Sequence, residues 1–304
     1  MKISLEYILF LSCFISAIYY FIKKCNNLLI FDPTKSTMET FELLCKHNNV
    51  IHCQMKTPDG EDLYGILYNE CKIPTWDDTI IFYSHGNSGC IEQMIEYNIR
   101  LGDVIPNLCL QNFNVLYSAD ALHLLSQYGS VFIYDYRGYG VSSGTPSEKG
   151  MYIDIKCAWN FLIKKKSVKP ENIIVYGFSL GCVVSTHLCA QLCLCDEKLP
   201  KSLILEAPIS CIKDMAKYHY KLLHNLVLYK FDNIENLKII NNSLPIYILH
   251  SKNDERVPYS QAVLLSKYIN NNIINIDGTH NSPIYNTKVR DLLSLLSNKI
   301  INKH

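Results

Sequence analysis

The sequence predicts an α/β fold, a mostly parallel central sheet with helices on both faces, and three observations predict it. Short β-branched and aromatic runs alternate with stretches whose apolar residues recur at the helical period. One run, Asn172-Ile173-Ile174-Val175-Tyr176, passes through Gly177-Phe178-Ser179-Leu180-Gly181 into the helical pattern of Val183, Val184, His187, Leu188 and Leu192. That is how a buried parallel strand enters a helix. No internal repeat or long linker divides the 304 residues, so one domain follows an amino-terminal segment.

That segment comes first. Tyr7 to Ile22 carries no charge over sixteen residues, about 24 Å as a helix against roughly 30 Å of hydrocarbon. Taken from Ile3 it reaches the full thickness, and residues 1–25 read as a hydrophobic membrane anchor with residues 26–47 connecting it onward. Ile18, Tyr19, Tyr20, Phe21 and Ile22 stand where a cleaved signal peptide needs small residues, so the segment is expected to be retained. Lys23, Lys24 and Lys35 follow it, which predicts a single-pass protein with a cytoplasmic catalytic domain; the sequon Asn241-Asn242-Ser243 points the other way. Cys25 is either an acylation site or an unmodified thiol at the boundary.

The catalytic domain is expected over residues 48–304. Val50 to Met55 and Leu63 to Tyr68 flank Pro58-Asp59-Gly60 as an antiparallel edge. A loop from Asn69 to Trp76 leads to strand Thr79–Tyr83, which runs into Ser84-His85-Gly86-Asn87-Ser88-Gly89, and a helix covers Ile91 to Leu101. Strand Val131–Tyr134 ends in Asp135-Tyr136-Arg137-Gly138-Tyr139-Gly140. A helix opening at Ser147 and Glu148 keeps Tyr152, Ile155, Ala158, Trp159 and Leu162 on one face. Strands at Ser202–Leu205, Ile246–Leu249 and Ile273–Ile276, a helix from Tyr259 to Ile269, and a closing helix marked by Leu292, Leu293, Leu296 and Ile300 complete the pattern.

Composition narrows the function. The 29 Lys and Arg against 28 Asp and Glu form no basic stripe, which gives no basis for a nucleic-acid partner. Thirteen cysteines are odd in number and scattered, and read as free thiols in a reducing compartment. Cys182, Cys189, Cys193 and Cys195 lack paired CxxC spacing and read as small buried hydrophobes rather than a zinc site. No metal and no cofactor is expected.

The chemistry is expected at Ser179. Chance supplies a GxSxG pattern in roughly one chain in ten of this length, so its surroundings carry the argument. A serine on a sharp strand-to-helix turn stands clear of the sheet only if its near neighbours carry almost no side chain, hence Gly177 and Gly181. Its hydroxyl needs a histidine to take its proton and an acid to orient that histidine. Strand Ile246–Leu249 leads to Asp254, and strand Ile273–Ile276 leads to His280. In a parallel sheet both loops emerge at the same end as Ser179. Glu255 and Asp277 compete for the acid position, but Glu255 lies further from its strand and Asp277 too close in sequence to His280. The backbone N–H groups of Leu180 and Asn87 are the expected oxyanion donors. Asp135 and Arg137 are expected to brace their loop.

Tyr83-Ser84-His85-Gly86-Asn87, Tyr134 to Gly140, Ser142-Ser143-Gly144, Pro170-Glu171-Asn172, Gly177 to Gly181 and Gly278-Thr279-His280-Asn281 resemble the α/β-hydrolase superfamily. Within it they are similar to the membrane-associated α/β-hydrolase domain-containing protein 17 subfamily. The resemblance covers about Val50 onward and implies an α/β-hydrolase fold and a serine hydrolase with nucleophile Ser179, acid Asp254 and base His280. It implies cleavage of fatty acyl esters or thioesters through an acyl-enzyme, including removal of acyl groups from cysteines of membrane proteins. A lysophospholipase or monoacylglycerol lipase is the alternative activity, and a non-catalytic membrane scaffold the alternative class. The membrane and an acylated protein or lipid are the expected partners; no oligomeric state follows. Against that family, residues 103–128 read as an insertion, a second lid or a partner surface. Residues 209–236, with Tyr218, Leu222 and Leu226, stand where a small cap belongs, as acyl-chain lid or core helix.

Overall fold

The computed structural model describes residues 5–96, 119–221 and 224–298. Helix α1 (Leu5–Ile30) ends at β1 (Asp32–Pro33), and a short helix α2 (Met38–Leu44) leads into the hairpin β2 (Val50–Lys56) and β3 (Asp62–Tyr68). There follow β4 (Ile80–Ser84), β5 (Ser88–Gly89), α3 (Ile91–Glu96), α4 (Ala119–Ser126), β6 (Ser130–Tyr134), α5 (Glu148–Asn160), β7 (Ile173–Phe178) and α6 (Leu180–Leu194). The chain continues through β8 (Ser202–Glu206), α7 (Ile212–His219), α8 (Asn233–Ile240), β9 (Ile246–Ser251), α9 (Tyr259–Leu265), β10 (Ile274–Gly278), β11 (Pro283–Ile284) and α10 (Thr287–Ser297).

Among the described residues the main sheet has nine strands in the order β11-β10-β9-β8-β7-β4-β6-β3-β2. The six from β6 to β10 are parallel, and β2, β3 and β11 attach antiparallel. Continuous apolar runs form these strands because both faces are covered. The two-residue period divides each run: Phe82 and Val175 pack with Trp159, Val183, Leu188 and Leu237 on one face, while Ile81, Tyr83, Ile174 and Tyr176 pack with Phe41, Ile91, Leu125 and Leu293 on the other. Each fully buried leucine or phenylalanine contributes about 1.5–3 kcal/mol. The helix starts are capped by side chains, Ser147 accepting from the Gly150 N–H and Asp232 from the Glu235 N–H.

Several expectations meet the structure here. The helix expected over Ile91 to Leu101 is α3 as far as Glu96, and its remainder lies outside the described residues; so does Ile300 of the closing helix. Of the expected insertion, residues 103–118 lie outside the described residues, and the remainder forms α4, whose Leu122 and Leu125 are buried in the core. Of the expected cap, residues 222–223 lie outside them; α7 and the first turns of α8 make up much of the rest. The cysteines of the described residues are free thiols, with Cys182 and Cys189 buried.

The amino terminus differs most from expectation. The segment's first four residues lie outside the described ones, and α1 runs past residue 25 to Ile30. Among the described residues no helix is long and apolar enough to cross a membrane. Leu11, Phe14, Ile15, Ile18 and Tyr19 are exposed. The last turns of α1, in contrast, are fastened to the domain: the Asn26 amide donates to the Leu226 carbonyl at 3.0 Å and accepts from the Leu228 N–H at 2.9 Å. Further along the connecting segment the Asp32 N–H donates to the Asn87 carbonyl at 2.9 Å and the Ser36 N–H to the Gly140 carbonyl at 3.2 Å.

Candidate active site

The chain leaves β4 for β6 on one side and then returns to β7 on the other, so the strand order reverses between β4 and β7. Loops at the carboxyl ends of two such strands diverge and leave a crevice. Ser179 follows β7 and Asn87 follows β4, which brings both to this crevice. Ser179 has φ 53° and ψ −117°, a conformation that costs about 1–3 kcal/mol in a residue with a side chain. Two hydrogen bonds hold the turn, Ser179 N–H to the Glu206 carbonyl at 2.9 Å and Cys182 N–H to the Ser179 carbonyl at 3.1 Å. A Cβ at Gly181 would stand 2.1 Å from the Ser84 carbonyl oxygen, and one at Gly177 2.6 Å from the Cys182 Cα. Gly177 is therefore required by backbone across the turn and Gly181 by backbone at the end of β4.

The structure brings the expected acid and base together. His280 Nδ1 lies 2.8 Å from Asp254 Oδ2, and His280 lines the same cavity as Ser179. Burial alone would raise the Asp254 pKa, but hydrogen bonds from the His250 and His280 rings, the attraction of His280, and the Val257 N–H hold it well below the ordinary carboxylate value. Asp254 is thus ionised whenever the protein is folded near neutral pH. The rival carboxylates are elsewhere: Glu255 Oε2 accepts from the His280 backbone N–H at 3.0 Å, and Asp277 is exposed. An imidazole oriented through Nδ1 by a carboxylate presents Nε2 as a proton acceptor, the form a neighbouring hydroxyl needs to become a nucleophile.

The Asn87 loop is fixed from two sides. Its carbonyl accepts from the Asp32 N–H at 2.9 Å and from the Tyr139 hydroxyl at 2.8 Å, while its side-chain amide donates to the Ile30 carbonyl at 3.3 Å. Strand β1 pairs with β5 immediately after it. Beneath the loop, burial pushes His85 down to about 3, so its ring is neutral; its Nδ1 lies 2.9 Å from the Gly86 carbonyl, the acceptor of the Nδ1–H form. A Cβ at Gly86 would make only ordinary contacts, 3.4 Å to the Phe178 ring and 3.6 Å to the Ser179 Cβ. Arg137 is out of the cavity and forks between Asp154 (Nη2 to Oδ1, 2.8 Å) and Asp59 (Nη1 to Oδ2, 2.8 Å), with Asp135 accepting from the Ile91 N–H.

A cavity of about 690 Å³ opens over Ser179, within the range of about 300–1,000 Å³ typical of sites for organic ligands. Gly86, Asn87, Ser179, Leu180 and His280 lie at its reacting end. Ile209, Ile212, Met215 and Ala216 of the cap region and Ile22, Leu29 and Ile30 of α1 supply apolar wall. Among the described residues no group of His, Cys, Asp and Glu is placed to hold a metal ion.

Three contributors escape a reading of the sequence. His250, buried, sits 3.4 Å from Asp254 Oδ2, and its only linear signal is its place four residues earlier. Glu206, buried at the end of β8, supplies the carbonyl that holds Ser179 and takes the Tyr176 and Tyr285 hydroxyls on its carboxylate. Burial raises its pKa against those two hydrogen bonds. The third is the inner face of α1, which recurs at a spacing of four residues inside a segment that is apolar all round.

Comparison with known proteins agrees with this architecture. A family model described as "Serine aminopeptidase, S33" matches residues 115–275. Alpha/beta hydrolase domain-containing protein 17B of Homo sapiens is 31% identical over 72% of this chain and 65% of its own length, just under two thirds of that relative. An uncharacterized protein of Acanthamoeba polyphaga mimivirus is 29% identical over 85% of this chain and 87% of its own. Among solved structures, an alpha-beta hydrolase of Vibrio vulnificus superposes with a TM-score of 0.64 at 19% identity, covering 87% of each chain. An esterase of Pyrococcus furiosus gives 0.58 at 16% identity, covering 88% of this chain and 96% of its own.

Proposed function

This chain belongs to the α/β-hydrolase superfamily, and from that premise we propose that it is a serine hydrolase cleaving fatty acyl esters or thioesters through an acyl-enzyme. The observation that carries the reading is the 2.8 Å contact of His280 Nδ1 with Asp254 at the rim of a largely apolar cavity that also contains Ser179. In this reading Ser179 Oγ attacks the acyl carbonyl while His280 Nε2 takes its proton. The oxygen that becomes negative is received by the N–H groups of Leu180 and Asn87, each such donor contributing about 3–4 kcal/mol to the transition state. His280 then returns the proton to the leaving thiol or alcohol, and water repeats the sequence on the acyl-enzyme.

The resemblance to the domain-containing protein 17 subfamily supports cysteine-bound fatty acyl groups as the substrate, with the leaving group a protein thiol. The exposed apolar side chains of α1 between Leu11 and Phe21, with Lys23 and Lys24 after them, support attachment of this segment to a membrane with the catalytic domain on the cytoplasmic side. The test is labelling by a fluorophosphonate probe, followed by turnover of a palmitoylated cysteine peptide and of a lysophospholipid. Wild type is expected to label and to cleave the peptide, and Ser179→Ala to do neither. Absence of labelling on folded wild type rejects the serine mechanism, and turnover of the lysolipid alone moves the substrate to lipids. Biological activity left intact in Ser179→Ala would make the chain a scaffold.

A further inference from the structure

The helix that precedes the catalytic domain enters the active-site cavity. Phe21, Ile22, Cys25, Asn26, Leu29 and Ile30 line it, and their spacing places them on one face of α1. Lys23, Lys24 and Leu28 are exposed and are not among the lining residues. This face is held in position rather than lying loosely nearby. Asn26 is buried and bonded to both Leu226 and Leu228, the Asn27 side chain accepts from the Tyr229 hydroxyl, and Phe31 packs edge-on against Tyr229 and Phe231.

The cavity is also lined by Ile212, Met215 and Ala216 of α7 and by Leu226 and Val227, the segment to which Asn26 is bonded. Leu29 is 59% exposed and Leu226 50% exposed, so α1 and the segment adjoining it leave apolar surface open at the cavity. The polar reacting groups Ser179, His280 and Asn87 share this space with that surface. A ligand matching that distribution has a single reactive carbonyl and a long unbranched hydrocarbon chain.

We propose that α1 is a specificity element of the enzyme: Ile22 and Leu29 form one wall of the chamber that receives the acyl chain, and thereby set the chain length that Ser179 accepts. The inference rests on the serine-hydrolase reading for its catalytic consequence and on the cavity alone for its binding consequence. It concerns residues outside the 115–275 region that the family model matches.

The experiment replaces Leu29→Trp and Ile22→Trp separately, filling the chamber from the α1 side, and uses Leu28→Trp, at an exposed α1 position that does not line the cavity, as the comparison. Leu29 and Leu28 are both exposed, so a tryptophan at either is compatible with folding, which thermal melting checks. The first readout is the ratio of kcat/KM for p-nitrophenyl hexadecanoate over p-nitrophenyl acetate in detergent. Leu29→Trp and Ile22→Trp lower this ratio about tenfold or more, the scale on which apolar pockets discriminate chains, and Leu28→Trp keeps the wild-type ratio. The second readout is binding of a fluorescent hexadecanoic-acid analogue to the Ser179→Ala protein, weakened by the same two substitutions and not by Leu28→Trp. A ratio and a binding constant unmoved by both inner-face substitutions, or moved equally by Leu28→Trp, overturn the inference. If wild type cleaves neither ester, the serine-hydrolase reading fails while the binding readout still decides the role of α1.

Discussion

At Gly181 the structure leaves no room for even a methyl group, because the Ser84 carbonyl oxygen sits 2.1 Å from where a Cβ would be. That contact is with backbone at the end of β4, so the elbow and the oxyanion strand are packed together. The acid member gives a sharper test. Under the proposed mechanism Asp254→Asn removes the charge that orients and stabilises the His280 imidazolium, and is expected to lower kcat about 10³–10⁴-fold. It also changes the acid limb of stability. Because the folded pKa of Asp254 is depressed, its contribution is complete above the unfolded value of about 4 and is lost as pH falls below it toward the folded value. Urea unfolding from about pH 6 down to about pH 2 should therefore show wild type losing more stability than Asp254→Asn. At this scale the placing of Ser179, Asp254 and His280 after strands β7, β9 and β10 is legible in the sequence, because each of those strands is a recognisable apolar run. His250 and Glu206 are not, since their roles come from contacts made across strands, of which the linear order carries no trace.

Among the elements, the strands and the helices α5 and α6 follow from periodicity, whereas α8 does not. Its eight residues bury only two apolar side chains, Leu237 and Ile240, and Asp232 caps its start. The inner face of α1 was hidden for the opposite reason, an excess of apolar residues on every side of the helix. Its attachment depends on Asn26, which is buried and satisfies one carbonyl and one N–H of the segment around residue 227. Asn26→Ala leaves both without that partner and is expected to cost about 1–3 kcal/mol, read as a lower Tm. A drop confined to a separate early transition would show that α1 and the domain unfold independently.

For the whole molecule, the parallel sheet and the gathering of the candidate loops at its carboxyl end are legible in the alternation of strands and helices, whereas the strand order and its reversal between β4 and β7 come from contacts across the sheet. The proposed attachment of α1 to a membrane has a direct test. Full-length protein is expected to float with phosphatidylcholine vesicles, and a chain lacking residues 1–20, which keeps Asn26 and Asn27, to remain with the soluble fraction. Equal flotation of the two would place attachment outside this segment. The fastening of α1 also has a consequence for biosynthesis. Asn26 bonds to Leu226, 200 residues later in the chain, so α1 leaves the ribosome well before the segment that fastens it. At about 5–20 residues per second, that interval is on the order of 10–40 seconds, during which an apolar helix is available to a bilayer or a chaperone before the domain can claim its end.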